Sequence, residues 1–175
     1  MPDTGYLSWG DTIKLEGQRY KMPLNTSLDS ELIHLHLTSQ DRNALFTKIT
    51  DQLLAKGIVE ESYREALILR EQNHPTAMQL ETMGVAIPHV DVEHVLEERL
   101  VVVTCPDGIE FNQAEDPELT MKVNVIFFLL LKEKDAHLEF LMKLISLFQK
   151  TGEMDRVIST TSVEEVMQIL AKNLD

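Results

Sequence analysis

Residues 122–131, KVNVIFFLLL, restrict the fold more than any other part of this 175-residue chain. The apolar run inside it, VIFFLLL at 125–131, is far shorter than the roughly 20 residues that cross a bilayer. It must therefore be buried within the protein itself. A run with no alternation of polar and apolar positions is expected to be a central strand covered on both faces.

The rest of the chain supplies the cover. ELIHLHLT, residues 31–38, alternates Leu32, His34 and His36 with Ile33, Leu35 and Leu37, the two-residue period of a half-buried strand that turns both histidines to its polar side. From Asp41 the positions Leu45, Ile49, Leu53 and Leu54 recur at helical spacing, and Gly57 after Lys56 marks the stop. A second helix is expected from near Glu61 until Pro75 forbids its continuation, burying Ala66, Leu67 and Leu69 or Ile68, with Arg70 and Glu71 in its last turns. Short strands are expected at VAI (85–87) and RLVVVTC (99–105), the latter followed by a turn at PDG and a neighbouring strand at IEFNQ.

Asp135 is placed to cap a helix whose apolar stripe is Leu138, Leu141, Met142, Ile145 and Phe148, with His137 in its first turn. Ser162, with Glu165 three residues on, has the spacing of a capping box for a last helix. Strands interleaved with helices predict an α/β fold, and the length suits one domain. Residues 1–24, with three glycines, two prolines and no lasting period, are expected to be an extension of uncertain order before a domain at 25–175.

Charge and cysteine usage narrow the function. A net charge of −13 argues against a nucleic-acid binder and against adhesion to anionic lipid, and suits a basic protein partner. The single cysteine, Cys105, cannot form an internal disulfide, which is consistent with a reducing cytoplasm. No secretory signal pattern opens the sequence.

The stretch ETMGVAIPHVD, residues 81–91, raises the functional question, because it ends a buried strand with Pro88 and then presents His89. Phosphoryl transfer requires a histidine with one neutral ring nitrogen exposed while the other is held by a hydrogen bond. Pro88 restricts the backbone on either side, pushing Ile87 toward an extended conformation. The transferred anion needs positive charge or aligned amides. Arg70 offers a bidentate guanidinium, although its spacing equally allows a surface salt bridge with Glu71 or Glu65. His137 in a first helical turn lies where free amides favour an anion, although it equally suits a capping or partly buried histidine.

YREALILREQ, then GVAIPH, then a strand and a helix beginning AHLEFLMKLISLF together resemble the IIA component of the fructose and mannitol class of the bacterial phosphoenolpyruvate-dependent sugar phosphotransferase system (PTS). The resemblance spans about residues 25 to 172. LAKGIVEESYREALILRE, MQLE and FNQAED are most similar to galactitol-type members. It implies a mixed β-sheet flanked by α-helices and a cytoplasmic phosphotransferase without metal or organic cofactor. It also implies that His89 accepts a phosphoryl group, on Nε2, from the carrier protein HPr and passes it to a cysteine of a IIB component. Under the same resemblance His137 lies against the phosphohistidine and Arg70 supports the phosphate. The sugar served would be galactitol-like or fructose- or mannitol-like. The alternative within the resemblance is a nitrogen-type regulatory IIA whose phosphorylation controls protein partners. Val90 departs from the glycine that follows this histidine in many members, and the GIGNG pattern of fructose-type members is missing.

Two other chemistries compete. His89, Asp91, Glu93 and His94 lie within six residues and could ligate a metal, although their spacing matches no helical pair. Cys105 with His89 could form a nucleophile pair, but a cysteine ending an apolar strand is more often buried and inert. No constellation forms around His34, His36 or His74.

Overall fold

Phe127 and Phe128, adjacent in sequence, pack into different cores. That division organises the whole computed structural model, which describes residues 6–8, 12–15, 18–21 and 27–174, with the side chains of 28–133 and 138–174. In chain order the elements are β1 (Tyr6–Ser8), β2 (Thr12–Leu15), β3 (Gln18–Lys21), β4 (Ser27–His34), α1 (Arg42–Ala55), α2 (Tyr63–Asn73), β5 (Met78–Gln79) and β6 (Gly84–Ala86). They continue with β7 (Arg99–Asn112), β8 (Thr120–Leu130), α3 (Lys134–Phe148), α4 (Thr151–Ser159) and α5 (Val163–Asn173).

A mixed sheet in the order β1-β4-β7-β8-β6-β5 forms the middle layer. β4 with β7 and β6 with β8 are parallel, and the remaining neighbours are antiparallel. On β8, Val125, Phe127 and Leu129 pack with Phe140, Leu144 and Leu147 of α3 and with α4 and α5. Ile126, Phe128 and Leu130 pack on the other face with Leu45, Phe46 and Ile49 of α1 and Tyr63 and Leu67 of α2. A strand that alternates between two dry cores needs apolar residues at every position, which accounts for the unbroken run. Of the first 24 residues, β1 pairs with β4 at the sheet edge, and β2 and β3 pair with each other. Among the described residues no helix is long and apolar enough to cross a membrane.

Five expectations change. The strand around ELIH begins earlier and ends at His34, because Leu32 and Ile33 are both buried and His36 has φ 53, which breaks the extended path. Residues 99–112 form one strand rather than two paired ones: the four residues between Thr104 and Ile109 lie opposite Asn124 alone on β8, a bulge closed by Gly108 at φ 80. On α2 Leu67 is buried as expected and Ala66 and Ile68 pack partly buried against the core, but Leu69 is 55% exposed, and Tyr63 and Glu71 join the buried side. On α3 the predicted stripe is largely outward: Leu138, Met142 and Ile145 are 65%, 64% and 39% exposed, while Phe140, Leu144, Leu147 and Phe148 are buried. This helix is apolar on two sides, and its aromatic side faces the sheet, where Phe148 meets Phe127 at 5.5 Å between ring centroids. The residue at its N-cap is Glu133, not Asp135; the side chain of Asp135 lies outside the described residues.

Candidate active site

The position of His89 follows from how β6 leaves the sheet. β6 runs parallel to β8, with Val85 opposite Val125 and Ala86 opposite Ile126. The Leu129 N–H donates to the Pro88 carbonyl at 3.1 Å, and His89 makes an isolated parallel bridge to Leu129. The histidine therefore emerges just past the carboxyl end of a parallel pair, the edge at which open α/β sheets form ligand crevices. β8 ends at the same edge, and α3 starts there at Lys134, where the first-turn N–H groups of a helix have no partner within the helix. His137 belongs to that first turn, and its side chain lies outside the described residues.

The ring itself has a fixed orientation. His89 Nδ1 lies 2.8 Å from the Ile87 carbonyl, an acceptor, so Nδ1 carries the proton and Nε2 keeps its lone pair. Arg70 Nη2 lies 3.4 Å from Nε2 as a donor. The guanidinium comes from the last turn of α2, which ends where His74 N–H donates to the Arg70 carbonyl before Pro75. Its Nη1 pairs with Asp91 Oδ1 at 3.6 Å, and its buried Nε has no hydrogen-bond partner among the described residues. A depression of about 240 Å³ beside them is lined by Leu69, Arg70, Val90 and Asp91 among others. A lone-pair nitrogen facing a cation that still has donor capacity suits a group that is both electrophilic and anionic.

The family model for the phosphoenolpyruvate-dependent sugar phosphotransferase system, EIIA 2, matches residues 26–173. The chain belongs to this family. As a PTS IIA component it is a phosphotransferase. The galactitol-specific EIIA component of Escherichia coli is 29% identical over 119 residues, covering 68% of this chain and 79% of that protein. The mannitol-specific IIA component of Staphylococcus aureus is 29% identical over 140 residues, covering 78% of this chain and 90% of its own length. Among solved structures, the Escherichia coli complex of enzyme IIA and phosphorylated enzyme IIB for mannitol contains a similar chain, with TM-score 0.67, 26% identity, and coverage of 81% of this chain and 95% of that one.

Within this IIA domain the rival constellations do not assemble. Among the described residues no three His, Cys, Asp or Glu side chains are grouped to hold a metal ion. His94 instead bonds Ser62 Oγ at 2.7 Å and approaches Glu93, while Asp91 faces Arg70. Cys105 is buried in the core beneath α1, where desolvation pushes its thiol up to about 11, so it holds its proton at neutral pH. His34 bonds Gln52 at 2.7 Å and His36 donates to the Ile158 carbonyl at 3.1 Å.

Glu71 was missed. It is 1% exposed, and its carboxylate accepts from both the backbone N–H and the hydroxyl of Thr76. Arg70 forms its ion pair with Asp91 and none with Glu71 or Glu65 among the described residues. Tyr63, Leu67 and Glu71 stand four residues apart, and that spacing was the available signal for a buried carboxylate.

Proposed function

We propose that this IIA component carries a phosphoryl group on His89 Nε2, taken from phospho-HPr and delivered to the cysteine of a IIB partner, within the domain at 25–175. The observation that carries the proposal is the pairing of a fixed Nδ1–H tautomer, 2.8 Å from the Ile87 carbonyl, with Arg70 at 3.4 Å from the opposite nitrogen. The lone pair on Nε2 forms the new P–N bond as the donor's P–N bond breaks, and Nδ1 keeps its proton throughout. In the second transfer a IIB thiolate forms a P–S bond, and the electron pair of the breaking P–N bond returns to Nε2. Arg70 binds the phosphoryl oxygens, and the family resemblance gives His137, in the first turn of α3, the task of steadying the same anion. No cofactor enters either step.

Both partners must reach the same nitrogen in turn, so one face serves two interfaces. Exposed Leu69, with Asp91 and Glu93 exposed nearby, offers an apolar surface with an acidic rim, suited to a basic HPr face. The relatives named for galactitol and mannitol support a polyol as the transported sugar, and a lone cysteine with no disulfide suits a cytoplasmic setting. The test is intact-mass measurement after incubation with phosphoenolpyruvate, enzyme I and HPr. Wild type gains one acid-labile phosphate and His89→Ala gains none; addition of the cognate IIB then removes it. Labelling of His89→Ala would sink the site assignment, and a phosphoprotein that no IIB discharges would favour a regulatory role.

A further inference from the structure

Behind His89 runs a chain of hydrogen bonds that starts at a buried charge. Glu71 Oε1 accepts the Thr76 N–H at 3.0 Å and the Thr76 hydroxyl at 2.9 Å, and Oε2 lies 3.1 Å from the same hydroxyl. An ionised carboxylate can only accept, so the hydroxyl proton must point to it. That leaves the lone pairs of Thr76 Oγ1 for the Ile87 N–H, which donates at 3.0 Å. Ile87 is buried and precedes a proline, which biases its backbone toward an extended conformation; its carbonyl is the acceptor of His89 Nδ1–H. Each link from Glu71 to the imidazole thus has one permitted donor direction.

A tether closing the loop after α2 would need only a neutral acceptor. A carboxylate in this position is costly: burial pushes Glu71 up from its ordinary range, opposed by the Thr76 hydrogen bonds and by the positive charges of Arg42 and Arg70. What the charge adds is direction, because a carboxylate cannot donate and so cannot let the hydroxyl reverse. We infer that Glu71 and Thr76 are positioning residues for phosphoryl acceptance, holding the backbone of Ile87 from its N–H side so that its carbonyl keeps His89 in the Nδ1–H tautomer with Nε2 toward the incoming group. The inference rests on the reading of His89 as the phosphoryl acceptor.

The test uses the full chain with ¹⁵N-labelled histidine, in wild type, Thr76→Val, Thr76→Ser and Glu71→Gln. The ring nitrogen shifts of His89 report its tautomer without any phosphoryl donor, and single-turnover transfer from phospho-HPr reports the rate. Wild type should give the Nδ1–H pattern. Thr76→Val should move the ring toward a mixture of tautomers and lower the transfer rate constant about tenfold, with the half-saturating HPr concentration unchanged within twofold. Thr76→Ser, which keeps the hydroxyl, should restore both, and Glu71→Gln should move both in the same direction as Thr76→Val by a smaller amount. Wild-type ring shifts in folded Thr76→Val would overturn the inference, as would an unchanged rate constant beside a shifted ring. If Thr76→Val does not fold, the same readings on Glu71→Gln decide. Failure of wild type to accept phosphoryl would overturn the reading of the site instead, and the ring shifts would then decide alone on Glu71 and Thr76.

Discussion

A ring nitrogen attacks phosphorus only while it keeps its lone pair, and a neighbouring cation can assist only if it is not fully engaged elsewhere. Arg70 meets the second condition, since its ion pair with exposed Asp91 is long, at 3.6 Å, and solvent-screened. Arg70→Gln retains a hydrogen-bonding amide and removes the charge. A charged hydrogen bond is worth about 1.5 to 3 kcal/mol, so transfer to His89 should slow by roughly 10- to 100-fold at about 1.4 kcal/mol per decade. Arg70→Lys should recover part of this, because it keeps the charge and loses the planar fork. Single-turnover rates check the prediction, and a wild-type rate in Arg70→Gln would reduce Arg70 to its pair with Asp91. At this scale the sequence marks His89 by its Pro-His step but leaves Arg70 open to a surface salt bridge; the fold brings the two within 3.4 Å, and only the family resemblance had paired them. Glu71 was not legible, since glutamate is normally a surface residue and nothing local shows that Thr76 folds back over it.

The elements matter through how closely they approach. Gly84 opens β6, and a Cβ there would lie 2.0 Å from the Lys122 carbonyl oxygen and 2.8 Å from Met121 Cε. Backbone cannot yield as a flexible side chain can, so Gly84→Ala should push β6 away from β8 and displace the Ile87, Pro88 and His89 segment that follows. Overpacking commonly costs 1 to 3 kcal/mol; a clash with backbone belongs at the upper end, about 3 kcal/mol, or roughly 6 to 12 °C in Tm for a chain of this size. Thermal unfolding with a parallel transfer assay checks it, and an unchanged Tm would mean that the two strands are not in this register. Three helix ends were legible, and the start of α3 was not. Asp41 Oδ1 accepts the Ala44 N–H at 2.7 Å, Gly57 has φ 69, and Ser162 Oγ accepts the Glu165 N–H at 3.2 Å, because capping is local chemistry written in one or two residues. The outward side of α3 was not legible, since a helix with apolar residues on two sides does not say which one the sheet will take. α4 sends only Met154 and Val157 fully into the core, too few to set up a period.

For the molecule as a whole, the α1 layer joins the sheet through a polar seam as well as an apolar core. His34 donates from Nε2 to Gln52 Oε1, Gln52 donates to the Glu31 carbonyl at 2.8 Å, and Lys56 reaches Asp29 at 3.2 Å. Burial lowers the His34 pKa from 6.5, the bond to Gln52 opposing and the charge of Lys48 adding to the shift. The unfolded chain thus takes up a proton near 6.5 while the folded one still refuses it. Stability that is present above that pH is lost as the pH falls through the lowered folded value. Glu71 acts in the opposite sense: burial raises it above 4.5, so the fold binds its proton first, and its contribution grows as the pH falls toward 4.5. The histidine's loss begins below 6.5, and a variant at His34 isolates it from the carboxylate's gain. Urea unfolding from about pH 7.5 to 5.5 should therefore show declining stability in wild type and a flatter profile in His34→Gln, where the side chain can still bond Gln52 and cannot charge. The gap between the two proteins should narrow or reverse as the pH drops. Parallel profiles would mean that His34 accepts its proton within the fold, and that the seam between α1 and β4 opens to water without loss of stability.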